Sequence, residues 1–295
     1  MGGALPCLEA TVSPPRKRRF AALSPQGAKK HLGRPGVFLV KTSAVLQGLT
    51  FATALLSVSV NAAECVARAE TVSVPLIELY TSEGCSSCPP ADRWLSQQVP
   101  GRFVPLALHV DYWDYIGWRD RFAQARFGQR QRDMVNRGGG RVVYTPQVML
   151  NGRDFRPWHS AAAFDEAVRK RAGQPLQAKL VLAVENKAAG GWTARLTGEV
   201  LPRKGRAEAY LALYENGLSS AVEAGENRGA QLRHDYVVRQ WQGPLPVGAD
   251  GRIAVSHTFA HGNGVDFNRA GVAAFIQDAD SGEVLQAVAV AGCKT

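Results

Sequence analysis

Glu78-Leu79-Tyr80-Thr81-Ser82-Glu83-Gly84-Cys85-Ser86-Ser87-Cys88-Pro89-Pro90-Ala91-Asp92 is the stretch on which the reading of this chain turns. Upstream of the cysteines, Val74 to Thr81 is a short run rich in Val, Leu and Ile, the pattern of a buried strand. Downstream, Ala91, Trp94, Leu95 and Gln98 recur at helical spacing, and Pro89 and Pro90 fall where a first helical turn accepts proline. The two cysteines therefore sit between a strand and a helix start. There they are close enough to form a disulfide, and a helix N-terminus favours a thiolate on the first of them. Cys85 is the expected nucleophile and Cys88 the resolving thiol. Half of a zinc site looks the same, but a four-cysteine site needs a second pair, and Cys65 and Cys293 are too far apart in sequence to supply one. An inert structural disulfide is the other alternative.

Working outward, Phe103 to Val110 reads as a second strand and Arg119 to Asn136 as an amphipathic helix ended by Gly138-Gly139-Gly140. Asn151-Gly152 marks a hairpin between Gln147 to Leu150 and Arg153 to Phe155. Ser160 is placed to cap a helix running to Ala172. Past Gly173-Gln174-Pro175 the texture changes to seven short strand-like segments between Gln177 and Ala291, separated by turn signals such as Asn216-Gly217 and Asp250-Gly251. The expected fold class is an α/β thioredoxin-like domain, residues 64–174, followed by an all-β antiparallel sandwich domain, residues 175–295.

The chain carries 35 Lys and Arg against 25 Asp and Glu, a formal charge of +10. Eight of those bases, Arg16, Lys17, Arg18, Arg19, Lys29, Lys30, Arg34 and Lys41, lie in the first 43 residues beside one acid, Glu9, so the body is near neutral. A nucleic-acid partner is not expected. Instead the basic stretch, the uncharged segment Thr42 to Val60 and the small residues Asn61-Ala62-Ala63 give the order of a signal peptide, with residues 1–63 as the leader. A membrane anchor is the alternative for that segment, which its seven Ser, Thr and Gln residues disfavour. Removal of the leader would leave no stable anchor and place the protein in the periplasm or outside the cell, where disulfides persist. Four cysteines then remain, and with Cys85 and Cys88 paired, Cys65 and Cys293 are left as a candidate structural disulfide.

A resemblance sharpens the reading. Thr145-Pro146 ahead of a strand resembles the cis-proline element of the thioredoxin superfamily, which implies that Pro146 shapes the site and that Thr145 offers backbone groups to an extended substrate. The stretch quoted above, with His109-Val110-Asp111-Tyr112-Trp113-Asp114 and Tyr144-Thr145-Pro146-Gln147, is similar to a family of bacterial exported proteins known only as a domain of unknown function. Leu213-Tyr214-Glu215-Asn216-Gly217 and Arg233-His234-Asp235-Tyr236-Val237-Val238-Arg239 carry the similarity into the second half. The aromatic, acidic insertion Asp111 to Asp120 either caps the cysteines, with Tyr112 and Trp113 as substrate contacts, or packs its tryptophans between the domains. His109 is expected as a hydrogen-bonded core residue rather than a copper ligand, and His234 as a residue satisfying a sheet edge. The functional expectation is an exported thiol-disulfide oxidoreductase acting on protein or small-molecule thiols and disulfides, with no cofactor and no metal. The alternative is a noncatalytic or copper- or zinc-handling binding protein.

Overall fold

In the computed structural model, which describes residues 64–293 apart from 188, 189 and 263, six consecutive residues, Leu76–Thr81, form a strand with every side chain buried. The expected leader lies outside the described residues. In chain order the elements are β1 (Glu64–Ala69), β2 (Leu76–Thr81), α1 (Pro89–Ser96), β3 (Val104–His109), α2 (Ala125–Arg137), β4 (Gln147–Leu150), β5 (Arg153–Asp154) and α3 (Ala161–Ala172). They continue as β6 (Ala178–Asn186), β7 (Trp192–Val200), β8 (Ala207–Glu215), β9 (Leu218–Ala221), β10 (Gln231–His234), β11 (Val237–Pro246), β12 (Arg252–Phe259), β13 (Ala270–Asp278) and β14 (Val284–Ala291).

The strands make an eight-stranded sheet in the order β14-β13-β8-β11-β3-β2-β4-β5, a four-stranded sheet β1-β6-β7-β12, and the separate hairpin β9-β10. Within the large sheet β3 runs parallel to both β2 and β11, and the remaining pairs are antiparallel.

This corrects the expected fold class. An α/β thioredoxin-like domain followed by a separate antiparallel sandwich does not form; the chain is mostly β, and its largest sheet takes strands from both sides of Pro175. The first strand, β1, pairs with β6 rather than with its sequence neighbours. The physical reason lies in β8 and β13. Leu211, Leu213, Val272, Ala274 and Ile276 face one core, and the alternate residues Tyr210, Ala212, Tyr214, Ala273 and Phe275 face another. A strand buried on both faces reads as a continuous apolar run, not as the in-out alternation of a sandwich with a wet side. Those runs join the two halves into one body.

Polar contacts reinforce the join. Arg130 of α2 grips Glu78 of β2 with Nε at 2.6 Å and Nη2 at 3.2 Å, and donates from Nη1 to Gln277 of β13. Asn151 at the β4-β5 turn has φ 49° and accepts the Leu76 N–H on Oδ1 at 2.7 Å. Gly152 beside it, at φ 77°, has no alternative, because a Cβ there would lie 2.2 Å from the Gly282 carbonyl oxygen of the β13-β14 turn.

Two helices start where the sequence places them. Prolines occupy the first turn of α1, and Ser160 caps α3 by accepting the Ala163 N–H. The third, α2, begins at Ala125 rather than Arg119, because Asp120 accepts the Phe122 N–H and closes an Asx-type turn that interrupts the helical pattern.

Candidate functional site

The site lies at the C-terminal ends of the parallel strands β2 and β3. The chain leaves β2 at Thr81, turns through Ser82 to Gly84, and presents Cys85 and Cys88, which form a disulfide with Cα atoms 5.4 Å apart. Cys85 is 1% exposed and Cys88 fully buried. Gly84 is required by a close approach, since a Cβ there would meet the Trp113 Cβ at 3.1 Å.

The helix begins later than the thiolate argument expects. Cys88, not Cys85, is the N-cap of α1. Pro89 and Pro90 have no N–H to offer, and the first two that follow, from Ala91 and Asp92, already donate to the Cys88 carbonyl. The Ser86 N–H donates to Glu226. The Ser87 hydroxyl stands 3.3 Å from the Cys85 sulfur and donates to the Thr145 carbonyl oxygen at 3.4 Å.

Thr145, Pro146 and Trp113 gather at the pair. The Thr145–Pro146 peptide is cis, and Trp113 donates from Nε1 to Thr145 Oγ1 at 2.7 Å. Tyr112 lies beside Thr145, and its hydroxyl donates to Gln131 of α2. Gln131 is buried and supports the site at one remove, its amide nitrogen reaching the Tyr144 carbonyl and Gln147 Oε1, both at 2.8 Å. Of the insertion's other tryptophan, the indole N–H of Trp118 donates to Glu83 Oε2 at 2.8 Å. Both tryptophans thus pack around the cysteine loop.

Sequence reasoning missed the contribution of the second half. The loop 222–230 between β9 and β10 lies over the turn, where Asn227 donates from Nδ2 to the carbonyls of Glu83 and Cys85 at 2.8 and 3.0 Å. Neither β9 nor β10 has a periodicity long enough to read from four residues.

Behind the disulfide lies a buried group of five ionisable side chains: Glu83, Asp92, His109, Asp120 and His234. His109 Nδ1 and Asp120 Oδ2 are 2.6 Å apart, and Asp120 also takes the Glu83 and Phe122 N–H groups. Burial pushes the His109 imidazole down, but the charge and hydrogen bond of Asp120, with the nearby Asp92 and Glu83, together hold it raised. Burial likewise pushes Asp120 up, and His109 with the two backbone donors keeps it lowered. His234 stands between two acids, Nε2 3.4 Å from Glu83 Oε1 and Nδ1 3.7 Å from Asp92 Oδ2. Both are looser than a well-formed hydrogen bond, although His234, with Ser220 and Trp118, still helps to hold the Glu83 carboxyl lowered against its burial. Burial raises Asp92, against the pull of the two histidines. In place of the sheet-edge role expected for it, His234 is a core member of this group. Among the described residues no set of three or more His, Cys, Asp or Glu side chains converges as metal ligands.

The second disulfide is distant from the first. Cys65 on β1 and Cys293 after β14 are bonded, with Cα atoms 5.6 Å apart.

A fold of this shape, with one cysteine pair at the strand ends and a second tying its outer strands, places the chain among mostly-β proteins with disulfides. The model of a protein family described as "Protein of unknown function (DUF1223)" matches residues 76–277, and the chain belongs to that family. Among solved structures, protein AGR_C_4864 from Agrobacterium tumefaciens is similar at 27% identity and a TM-score of 0.57, over 77% of this chain and 98% of that one. HBP35 of Porphyromonas gingivalis is similar in fold alone, at 17% identity and a TM-score of 0.58, over 75% of this chain and 76% of its own. No curated protein matches the sequence.

Proposed function

We propose that the protein carries out thiol-disulfide exchange through Cys85 and Cys88, outside the cytoplasm. The observation that carries this reading is the cysteine pair itself: two sulfurs joined three residues apart at a strand-to-helix junction, with a hydroxyl 3.3 Å from the first and the Thr145-Pro146 segment alongside. A structural staple has no need of this setting, since a loop of three residues restricts the unfolded chain very little. Export rests on the leader-like sequence of residues 1–63 and on the persistence of two disulfides among the described residues.

In this reading Cys85 forms the mixed disulfide and Cys88 resolves it. Trp113 and Thr145 border the cysteine loop, and Tyr112 stands beside Thr145 and Gln131. The partner is a thiol or disulfide, small or carried on a protein. Cys88→Ser, expressed in full length and exported, should accumulate mixed disulfides that nonreducing electrophoresis resolves and mass spectrometry identifies. Cys85→Ser should form none. Equal absence of adducts in both variants, with Cys85 and Cys88 unreactive in a glutathione redox buffer, would remove the proposal.

A further inference from the structure

The exchange proposed above makes no use of two motifs in the second half of the chain, Leu213 to Gly217 and Arg233 to Arg239. The fold brings them together, because β8 and β11 are neighbours and Glu215 stands opposite Val237. Beside them opens a cleft of about 370 Å³. Its walls include Glu215 and Ser219, Arg239 of β11, Arg269 just ahead of β13, and Arg121 and Phe122 just beyond the aromatic insertion. Three arginines and one carboxylate therefore line it, and a concave surface lined by one sign of charge draws the opposite sign.

A purely structural role accounts for only part of this set. Glu215 is fully buried, where a carboxylate without partners is costly. Its Oε2 takes Arg239 Nη1, and its Oε1 takes the Asp266 N–H at 3.1 Å and Arg269 Nη2 at 3.3 Å. Arg269 is further pinned by donating from Nη1 to the Gly217 carbonyl at 2.7 Å and from Nε to Asp266 at 3.0 Å. The carboxylate is thus satisfied without Arg121. Arg121, which is exposed, donates from Nη2 to the Ser219 carbonyl and makes no other hydrogen bond or ion pair among the described residues. Its guanidinium carbon lies 4.6 Å from the centre of the Phe122 ring, and that of Arg239 lies 5.3 Å from the same ring. Two like charges sharing one ring repel each other. Even with Asp266 counted beside Glu215, three guanidinium groups meet two carboxylates, which leaves one positive charge in excess.

The geometry points to an oxyanion-binding site in this cleft, which takes a small ligand through a carboxylate or phosphate group held by Arg121, with Arg239 and Arg269 supplying positive charge beside it. A guanidinium presents paired N–H donors that match either group, and Arg121 keeps its Nε and Nη1 for that purpose. The ring of Phe122 and the Ser219 carbonyl hold its side chain in place, so little order has to be gained on binding. The volume lies in the lower part of the range for small-molecule sites, roughly 300–1,000 Å³. None of these residues takes part in the chemistry proposed for Cys85 and Cys88, and the site stands whether or not that exchange occurs.

Calorimetric titration of the full-length exported protein tests this, with sodium phosphate and sodium succinate as separate probes and sodium chloride at matched ionic strength as the control. Phosphate, succinate or both should bind with a dissociation constant of about 1 mM or tighter, and which of them binds tells the two sources of the oxyanion apart. Arg121→Gln removes the charge and keeps a donor for the Ser219 carbonyl. It should weaken binding by about tenfold or more, the loss expected for a hydrogen bond to a charged group. Arg102→Ala removes an arginine that pairs with Asp165 and does not line the cleft, and should leave binding unchanged. Heats no greater than those of chloride for both probes would overturn the site. So would equal affinity in Arg121→Gln, or an equal loss in Arg102→Ala. If Arg121→Gln fails to fold, the rate at which phenylglyoxal modifies Arg121 in unaltered protein decides: slowing by phosphate or succinate supports the site, and a rate that neither changes overturns it.

Discussion

His109 and Asp120 show how one residue pair ties a strand end to the insertion beside the site. Both side chains are fully buried, and each shifts the other in the direction that favours charge. The stability they contribute therefore has two edges. A raised histidine contributes fully below its unfolded value, about 6.5, and loses that contribution as pH rises through its folded value. A lowered carboxylate contributes above its unfolded value, about 3.9, and loses it as pH falls through its folded value. The pair is thus worth most between roughly pH 4 and 6.5. His109→Asn, which leaves Asp120 buried and unpaired, should cost about 3 kcal/mol or more in that window and less above it. Urea unfolding across a pH series checks this, and a cost that does not change with pH would show that His109 keeps one protonation state. His109 was legible in the sequence as a hydrogen-bonded core residue, but Asp120 was not legible as its partner. They stand 11 positions apart in a stretch with no regular period, so only the folded insertion brings them together.

Among the elements, α2 does the most to hold the site in place. Gln131 anchors the segment before Pro146, and its neighbour Arg130 spans β2 and β13. Its guanidinium, nearly buried, lies 5.0 to 5.2 Å from the ring centroids of Tyr210, Trp241 and Phe275 while it pairs with the fully buried Glu78. The sequence shows α2 as an amphipathic helix but gives no sign that a charged residue on it faces a core. Arg130→Ala should destabilise the protein by about 3–5 kcal/mol, because Glu78 is left as an uncompensated buried charge. Replacing both, with Arg130→Met and Glu78→Gln, should cost much less. Guanidinium unfolding of the single and double variants measures the difference, and equal losses would mean that packing against the three rings, not charge, sets the cost. The small hairpin β9-β10 is the opposite case: short, unreadable in advance, and placed against the cysteine loop by Asn227 and His234.

At the scale of the whole molecule, the Cys65–Cys293 bond closes a loop of 228 residues and joins β1 to the end of β14. On the chain-entropy argument a loop of that length stabilises by about 5 kcal/mol, an upper value that real disulfides often miss. Cys65→Ser with Cys293→Ser should lower the melting temperature markedly while leaving the exchange proposed for Cys85 unaffected. Unchanged melting would mean that β1 and β14 are held by their sheets alone. The pairing of these two cysteines followed from counting, and the strand-cysteine-helix unit, the Asn151-Gly152 turn and the Ser160 cap followed from patterns a few residues long. Such features are fixed by the sequence because they depend on local backbone preference and on neighbours within one turn or one hairpin. The joining of both halves into one sheet, the double burial of β8 and β13, and the gathering of Glu83, Asp92, His109, Asp120 and His234 were decided only by the tertiary structure. Each depends on contacts across more than ten, and up to about 150, residues of chain, where a single sequence carries hydrophobic pattern but no address for the surface it will meet.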